Sequence, residues 1–147
     1  MEEDLGSDMN AWMEELAKAL RAHIVGDASI TAYVGTRVYP EGVAQNPEMP
    51  YITYMLPISS RHEYALGVTD PAASWVRFQV DWYSTTYTEA VQLGDALFAS
   101  LATATLTVSG WGTVRVFPLP TGFVEKQDEE GVTYFRGMHR YWVLLCS

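Results

Sequence analysis

The sequence predicts an α+β domain: an antiparallel β-sheet with two N-terminal helices and one long helix packed on it, plus a projecting β-hairpin. Three observations predict it. Met9, Trp12, Met13, Leu16, Leu20 and Ile24 recur at spacings of three and four, which puts one apolar stripe on a helix. From Trp75 to Tyr83 apolar and polar residues alternate, the mark of a half-buried antiparallel strand whose register is well specified. Thr86 and Glu89 then stand at capping-box spacing, where each can satisfy a backbone N–H that a helix start leaves unpaired. Two helices in succession followed by strands give helices packed against an antiparallel sheet.

Residues 1–7 read as a flexible acidic tail and residues 8–147 as one domain. The first helix is expected from Asp8 to Val25, with Glu14, Glu15, Lys18 and Arg21 on its polar face and Glu14 and Lys18 as an i,i+4 pair. Gly26 ends it, and Asp27 caps a short second helix that runs through Val34 to Gly35. Arg37 to Tyr39 reads as a short strand, Pro40 to Pro50 as a loop, and Tyr51 to Leu56 as a central strand apolar on both faces. Arg61 to Leu66 and Ser74 to Tyr83 read as hairpin arms, joined by Gly67 to Ala73, a connection long enough to project and touch a neighbour.

After the cap, Ala90, Leu93, Gly94, Leu97, Phe98 and Leu101 form the buried stripe of the long helix. Gly94 there costs about 1 kcal/mol in helix propensity, so close packing on the sheet is its expected reason. Thr105 to Val108, Gly112 to Pro118 and Phe123 to Gln127 read as short strands, and Asp128 to Gly131 as a turn. Val132 to Cys146 is a long last strand with Gly137 as a candidate bulge. Its end, Tyr141 to Leu145, is apolar on both faces: one face for the core, the other for another subunit or a helix.

A chain of 147 residues has room for one such domain. With 48% apolar, 13% aromatic and 18% charged residues it is too hydrophobic for disorder and carries too little charge for a fully solvated monomer surface. Some apolar surface therefore meets a partner. A net charge of −9, from 18 acidic against 9 basic residues, disfavours specific DNA or RNA binding, which is driven by Lys and Arg on phosphates. The acidic start is wrong for a signal peptide, no apolar run reaches about 18 residues, and the chain reads as made in the cytoplasm, with no membrane partner.

Candidate chemistry is sparse. Cys146 is the one cysteine, which leaves no internal disulfide. His23, His62 and His139 lack metal-ligand spacing, and no glycine-rich phosphate loop or nucleophile elbow is present. Ser59 and Ser60 beside Arg61 and His62 alternate across a strand, so they do not form a nucleophile and base pair. No cofactor is expected. Glu125, Asp128, Glu129 and Glu130 cluster in a hairpin with Lys126 as the only local counter-charge: a solvated turn, or a surface facing a lumen or a partner. Trp12, Trp82 and Phe98 read as core, whereas Trp75, Tyr83 and Trp111 fall on outer faces or turns, where aromatics serve interfaces. The expected subunit contact is thus Gly67, Asp70, Pro71, Trp75, Arg77, Gln79, Asp81 and Tyr83.

A helical N-terminal part ending in Ile-Thr-Ala-Tyr-Val-Gly-Thr-Arg-Val-Tyr-Pro40 is followed by Met-Pro-Tyr-Ile-Thr-Tyr54, Val-Arg-Phe-Gln-Val-Asp-Trp-Tyr83, Thr-Tyr-Thr-Glu-Ala90 and a closing strand from Tyr134 to Val143. From about Leu16 onward this arrangement resembles the tail-completion proteins of long-tailed bacteriophages, the tail-terminator or tail-to-head joining proteins. The resemblance implies a non-enzymatic virion protein at the tail-neck junction. It implies a homo-hexameric ring that ends the tail tube and docks to the neck or head-completion protein, while DNA passes through. A head-tail stopper or other neck ring is the nearest alternative. From another class, a small-ligand-binding or hydrolytic domain would need Asp81, His62 or His139 in one polar pocket.

Overall fold

The computed structural model describes residues 5–42, 47–64, 71–110 and 112–146. Along them run α1 (Leu5–Val25), α2 (Ala28–Val34), β1 (Val38–Pro40), β2 (Tyr51–Tyr64), β3 (Pro71–Ser84), α3 (Tyr87–Leu101), β4 (Thr105–Val108), β5 (Gly112–Glu129) and β6 (Val132–Cys146). The strands make one sheet in the order β1-β2-β3-β6-β5-β4. The fold is α+β, as expected.

The helices form because their apolar residues face one way. Trp12, Leu16, Leu20 and Ile24 of α1, Ile30 and Val34 of α2, and Ala90, Leu93, Leu97 and Leu101 of α3 are buried in one core. The sheet answers with Ile52, Val76, Phe78, Val80, Trp82, Val116, Tyr141 and Val143. Asp27 caps α2 by accepting from the Ser29 N–H at 2.9 Å, and Gly35 follows at φ 58°. α1 begins at Leu5, inside the segment read as a tail; residues 1–4 lie outside the described residues.

Several expectations are corrected. The sheet is mixed: β1 runs parallel to β2, with Val38 beside Ile52, while every other pairing is antiparallel. Three residues ending in Pro40, which has no N–H to donate, fit an edge place. Tyr51–Leu56 and the described part of Arg61–Leu66 are not separate strands; β2 runs through to Tyr64 with a register shift between Met55 and Ser59, and residues 65–66 lie outside the described residues. β5 likewise unites Gly112–Pro118 and Phe123–Gln127 across a shift between Pro118 and Gly122. In both, prolines break the ladder locally and an irregularity absorbs the break without ending the strand.

Gly137 is not a bulge. Pairing of β3 with β6 continues unbroken through Trp82 and Gly137, and a Cβ at 137 would fall 2.0 Å from the Trp82 indole. Phe98 is not core but 45% exposed. It stands next to Leu97 on α3, about 100° around the helix, so it flanks the stripe and meets the His139 ring edge at 5.8 Å.

The α3 start follows the expected cap in one direction. Thr86 Oγ1 accepts from the Glu89 N–H at 3.2 Å, whereas the Glu89 carboxylate accepts from Ser84 at 2.6 Å, and Ser84 Oγ in turn accepts from the Thr86 N–H at 3.3 Å. The β5–β6 turn is tighter than the four residues expected: Glu130 (φ 51°) and Gly131 (φ 80°) alone occupy the left-handed positions of a two-residue hairpin turn.

Candidate functional site

Because the helices share one face of the sheet, the alternation of β3 sends Trp75, Arg77, Gln79, Asp81 and Tyr83 to the other. The antiparallel register sets Leu144, Trp142, Arg140, Met138 and Arg136 of β6 beside them in that order. Phe117, Phe123 and Glu125 of β5 extend the layer on one side, and Tyr51, Thr53 and Met55 of β2 on the other. Among the described residues no helix covers this face.

Its middle is a hydrogen-bonded chain. The Arg136 guanidinium donates to Asp81 Oδ2 from Nη2 at 2.6 Å and from Nε at 3.1 Å, and reaches Glu125 at 3.5 Å. Asp81 Oδ1 accepts from Gln79 at 2.8 Å, and Gln79 Oε1 accepts from Arg140 at 3.0 Å. Asp81 keeps only 5% of its side chain exposed. A carboxylate so buried is tolerable because a two-toothed guanidinium and an amide satisfy it. Burial opposes the Arg136 charge, yet the Asp81 hydrogen bond and charge prevail and raise its pKa.

The two ends differ. Toward the hairpin, Tyr51 stacks on Tyr83 at 4.5 Å and Tyr134 follows at 6.1 Å, with burial pushing the Tyr51 pKa up to about 12. At the far end Trp75 meets Phe117 at 5.6 Å and Trp142 edge-on at 6.0 Å. There Arg77 lies over Trp142 at 4.6 Å and Arg115 over Phe117 at 5.2 Å.

The structure thus brings together Trp75, Arg77, Gln79, Asp81 and Tyr83. Pro71 opens β3 opposite Tyr64 at the end of the β2–β3 hairpin, while Gly67, Asp70 and Trp111 lie outside the described residues. The acidic hairpin projects as a β-ribbon, with Asp128 accepting from Thr133 and Glu129 from Tyr134 at 3.1 Å. Lys126 is not its sole counter-charge, since Arg136 reaches Glu125 from the opposing arm. Sequence reasoning missed Arg136, Arg140 and Trp142 as members of this layer. Their alternation with Gly137, His139 and Tyr141 was the available signal.

Of the polar groups of the hydrolytic alternative, Asp81 and His139 do not converge, and the His62 side chain lies outside the described residues. His139 faces the helices, against Trp82 at 4.6 Å and Tyr141, whereas Asp81 faces the opposite side. His139 lines a shallow cleft with Trp82, Gly94, Asp95 and Gly122, and burial lowers its pKa despite Asp95. A second, apolar cleft lies between Ala17, Tyr54, Met55 and Leu56. Among the described residues no three His, Cys, Asp or Glu side chains stand together as a metal set, and no helix is long and apolar enough to cross a membrane.

Compared with known proteins, no curated sequence matches the chain. Among solved structures, a chain of the "Virion of native gene transfer agent (GTA) particle" has a TM-score of 0.65 at 21% identity, over 89% of this chain and 97% of that one. Another solved chain has a TM-score of 0.59 at 14% identity, over 88% and 94%. At those identities the likeness is one of fold. The family model described as "Tail completion protein gp17" matches residues 18–144, from within α1 to nearly the end of β6. The chain therefore belongs to the tail completion protein gp17 family, and is a structural protein of the phage tail and a component of the virion.

Proposed function

We propose that the chain assembles with copies of itself into a ring, with six subunits, that ends the phage tail tube and joins it to the neck of the head. The observation that carries this reading is the open sheet face. Trp75, Phe117 and Trp142 cluster there with half-buried rings, and Asp81 and Arg136 are already paired, so a partner can cover the middle of the layer without stranding either of those two charges. Family membership supplies the setting. A ring multiplies the formal charge of −9 per copy, and an acidic lumen repels the DNA backbone and lets it slide through. On this reading the chain works by shape and assembly rather than by catalysis.

Tails made in the absence of this chain, mixed with the purified protein, test the proposal. Bound rings at one tube end and restored joining to filled heads are expected. Binding to heads but not to tail tubes would favour the stopper alternative, and binding to neither would sink the proposal.

A further inference from the structure

A ring of more than two identical subunits is closed by head-to-tail contacts, so each copy must carry two different, complementary surfaces. The open face has two such ends. One is cationic and aromatic: Arg77 over Trp142 and Arg115 over Phe117, with Trp75 between the rings. The other is the exposed tip of the β5–β6 hairpin, with Asp128, Glu129 and Glu130. Phe117 pairs with Trp142 and Asp128 with Thr133, which separates the two ends by about nine residues, or roughly 30 Å of strand. Within one copy they cannot meet.

Their chemistry matches. A guanidinium held over an aromatic face by cation–π attraction spends no N–H donor on a carboxylate and can still grip one. Arg136 is occupied by Asp81 and Glu125, and Arg140 by Gln79. Among the described side chains no carboxylate pairs with Arg77 or Arg115. In addition Arg77 Nε and Trp75 Nε1 are buried with no hydrogen-bond partner among the described residues. Buried donors are nearly always satisfied, so this end of the layer is short of acceptors. The hairpin tip offers carboxylates whose own contacts are single hydroxyl groups, from Thr133 to Asp128 and from Tyr134 to Glu129.

The geometry points to a specific subunit contact: we infer that the acidic hairpin tip of one copy docks on the Arg77 and Arg115 aromatic patch of the next. This rests on the ring reading and names its joint. A net charge of −9 makes a second copy of this chain a fitting partner for the patch and a nucleic acid a poor one.

Two charge-reversed chains test it. One carries Glu129→Lys and Glu130→Lys; the other carries Arg77→Glu and Arg115→Glu, with the exposed Arg115→Glu alone as its milder form. Native circular dichroism of each variant is the condition for scoring it. On tails lacking the native chain, each variant alone should cap at least about tenfold fewer ends than wild type, because like charges then face each other at every joint. An equimolar mixture should recover to within about twofold, since alternating subunits restore opposite charges at every joint. Wild-type capping by either variant alone, or a mixture no better than its components, overturns the inference and leaves the ring reading standing. A wild-type chain that caps no tails sinks the ring reading, and the inference with it.

Discussion

Trp82 lies flat against Gly137 across the β3–β6 pairing, where an added Cβ would come within 2.0, 2.2 and 2.4 Å of three indole atoms. The same indole fills the space over Gly94 of α3 and donates its N–H to the Ala90 carbonyl at 2.8 Å. One side chain therefore fixes how close the long helix sits to the sheet.

Gly137→Ala should destabilise the fold by at least about 3 kcal/mol, the upper part of the range for overpacking a core, because the methyl meets a rigid ring fixed by its own hydrogen bond. Gly94→Ala sets two effects against each other. It gains about 1 kcal/mol of helix propensity but pushes a methyl to 2.6 Å from Trp82 Cζ2, for a net loss of roughly 1–2 kcal/mol. Denaturant unfolding followed by tryptophan fluorescence measures both.

Asp81→Ala leaves Arg136, only 29% exposed, without its principal partner. Removing one member of a buried pair costs about 3–5 kcal/mol, and the partial exposure of Arg136 brings the expectation to about 2–3 kcal/mol. Equal stability of wild type and Asp81→Ala in urea would show that the layer's ion pair contributes nothing.

His139 links stability to pH. Its folded pKa is depressed below the ordinary 6.5, chiefly by burial, with Asp95 pulling the other way. Below 6.5 the unfolded chain therefore binds the proton more readily than the folded one, and stability falls as pH drops from 6.5 toward the folded value. Above 6.5 the group has no effect. His139→Gln should flatten this part of the profile in urea midpoints taken across that interval; an unchanged slope would assign it to other groups.

Trp142→Ser should separate folding from assembly. Trp142 stands on the open face against Trp75 and Arg77, whereas Trp82 is 1% exposed in the core. Trp82→Ser should lose at least about 3 kcal/mol, and Trp142→Ser clearly less. On tails lacking the native chain, the folded Trp142→Ser protein should nevertheless fail to cap. Normal capping by that variant would place the joint elsewhere.

What was legible in the sequence follows from how locally each feature is written. The two faces of β3 could be read because a half-buried strand imprints burial on every second residue, and α1, α2 and the Thr86 cap could be read from spacing and cap chemistry. The direction of β1 and the placing of β6 between β3 and β5 could not, because they are set by pairings far apart in the chain. Prolines at Pro57, Pro118 and Pro120 mark strand ends by rule, yet β2 and β5 continue past them. Half of the candidate site was legible for the same reason. Trp75 to Tyr83 announced an outer face, but the residues completing it, Arg136, Arg140 and Trp142, are joined to it only by long-range register. Phe98 was misplaced because a helical stripe marks a face and leaves its edges undefined.

The most direct test of the assembly account is a cryo-microscopy reconstruction of tail ends with this chain bound. Six copies should surround the tube, with the outer face of β3 and β6 buried between neighbouring copies. A single bound copy, or a ring in which Trp75, Arg77 and Trp142 face solvent, would contradict it.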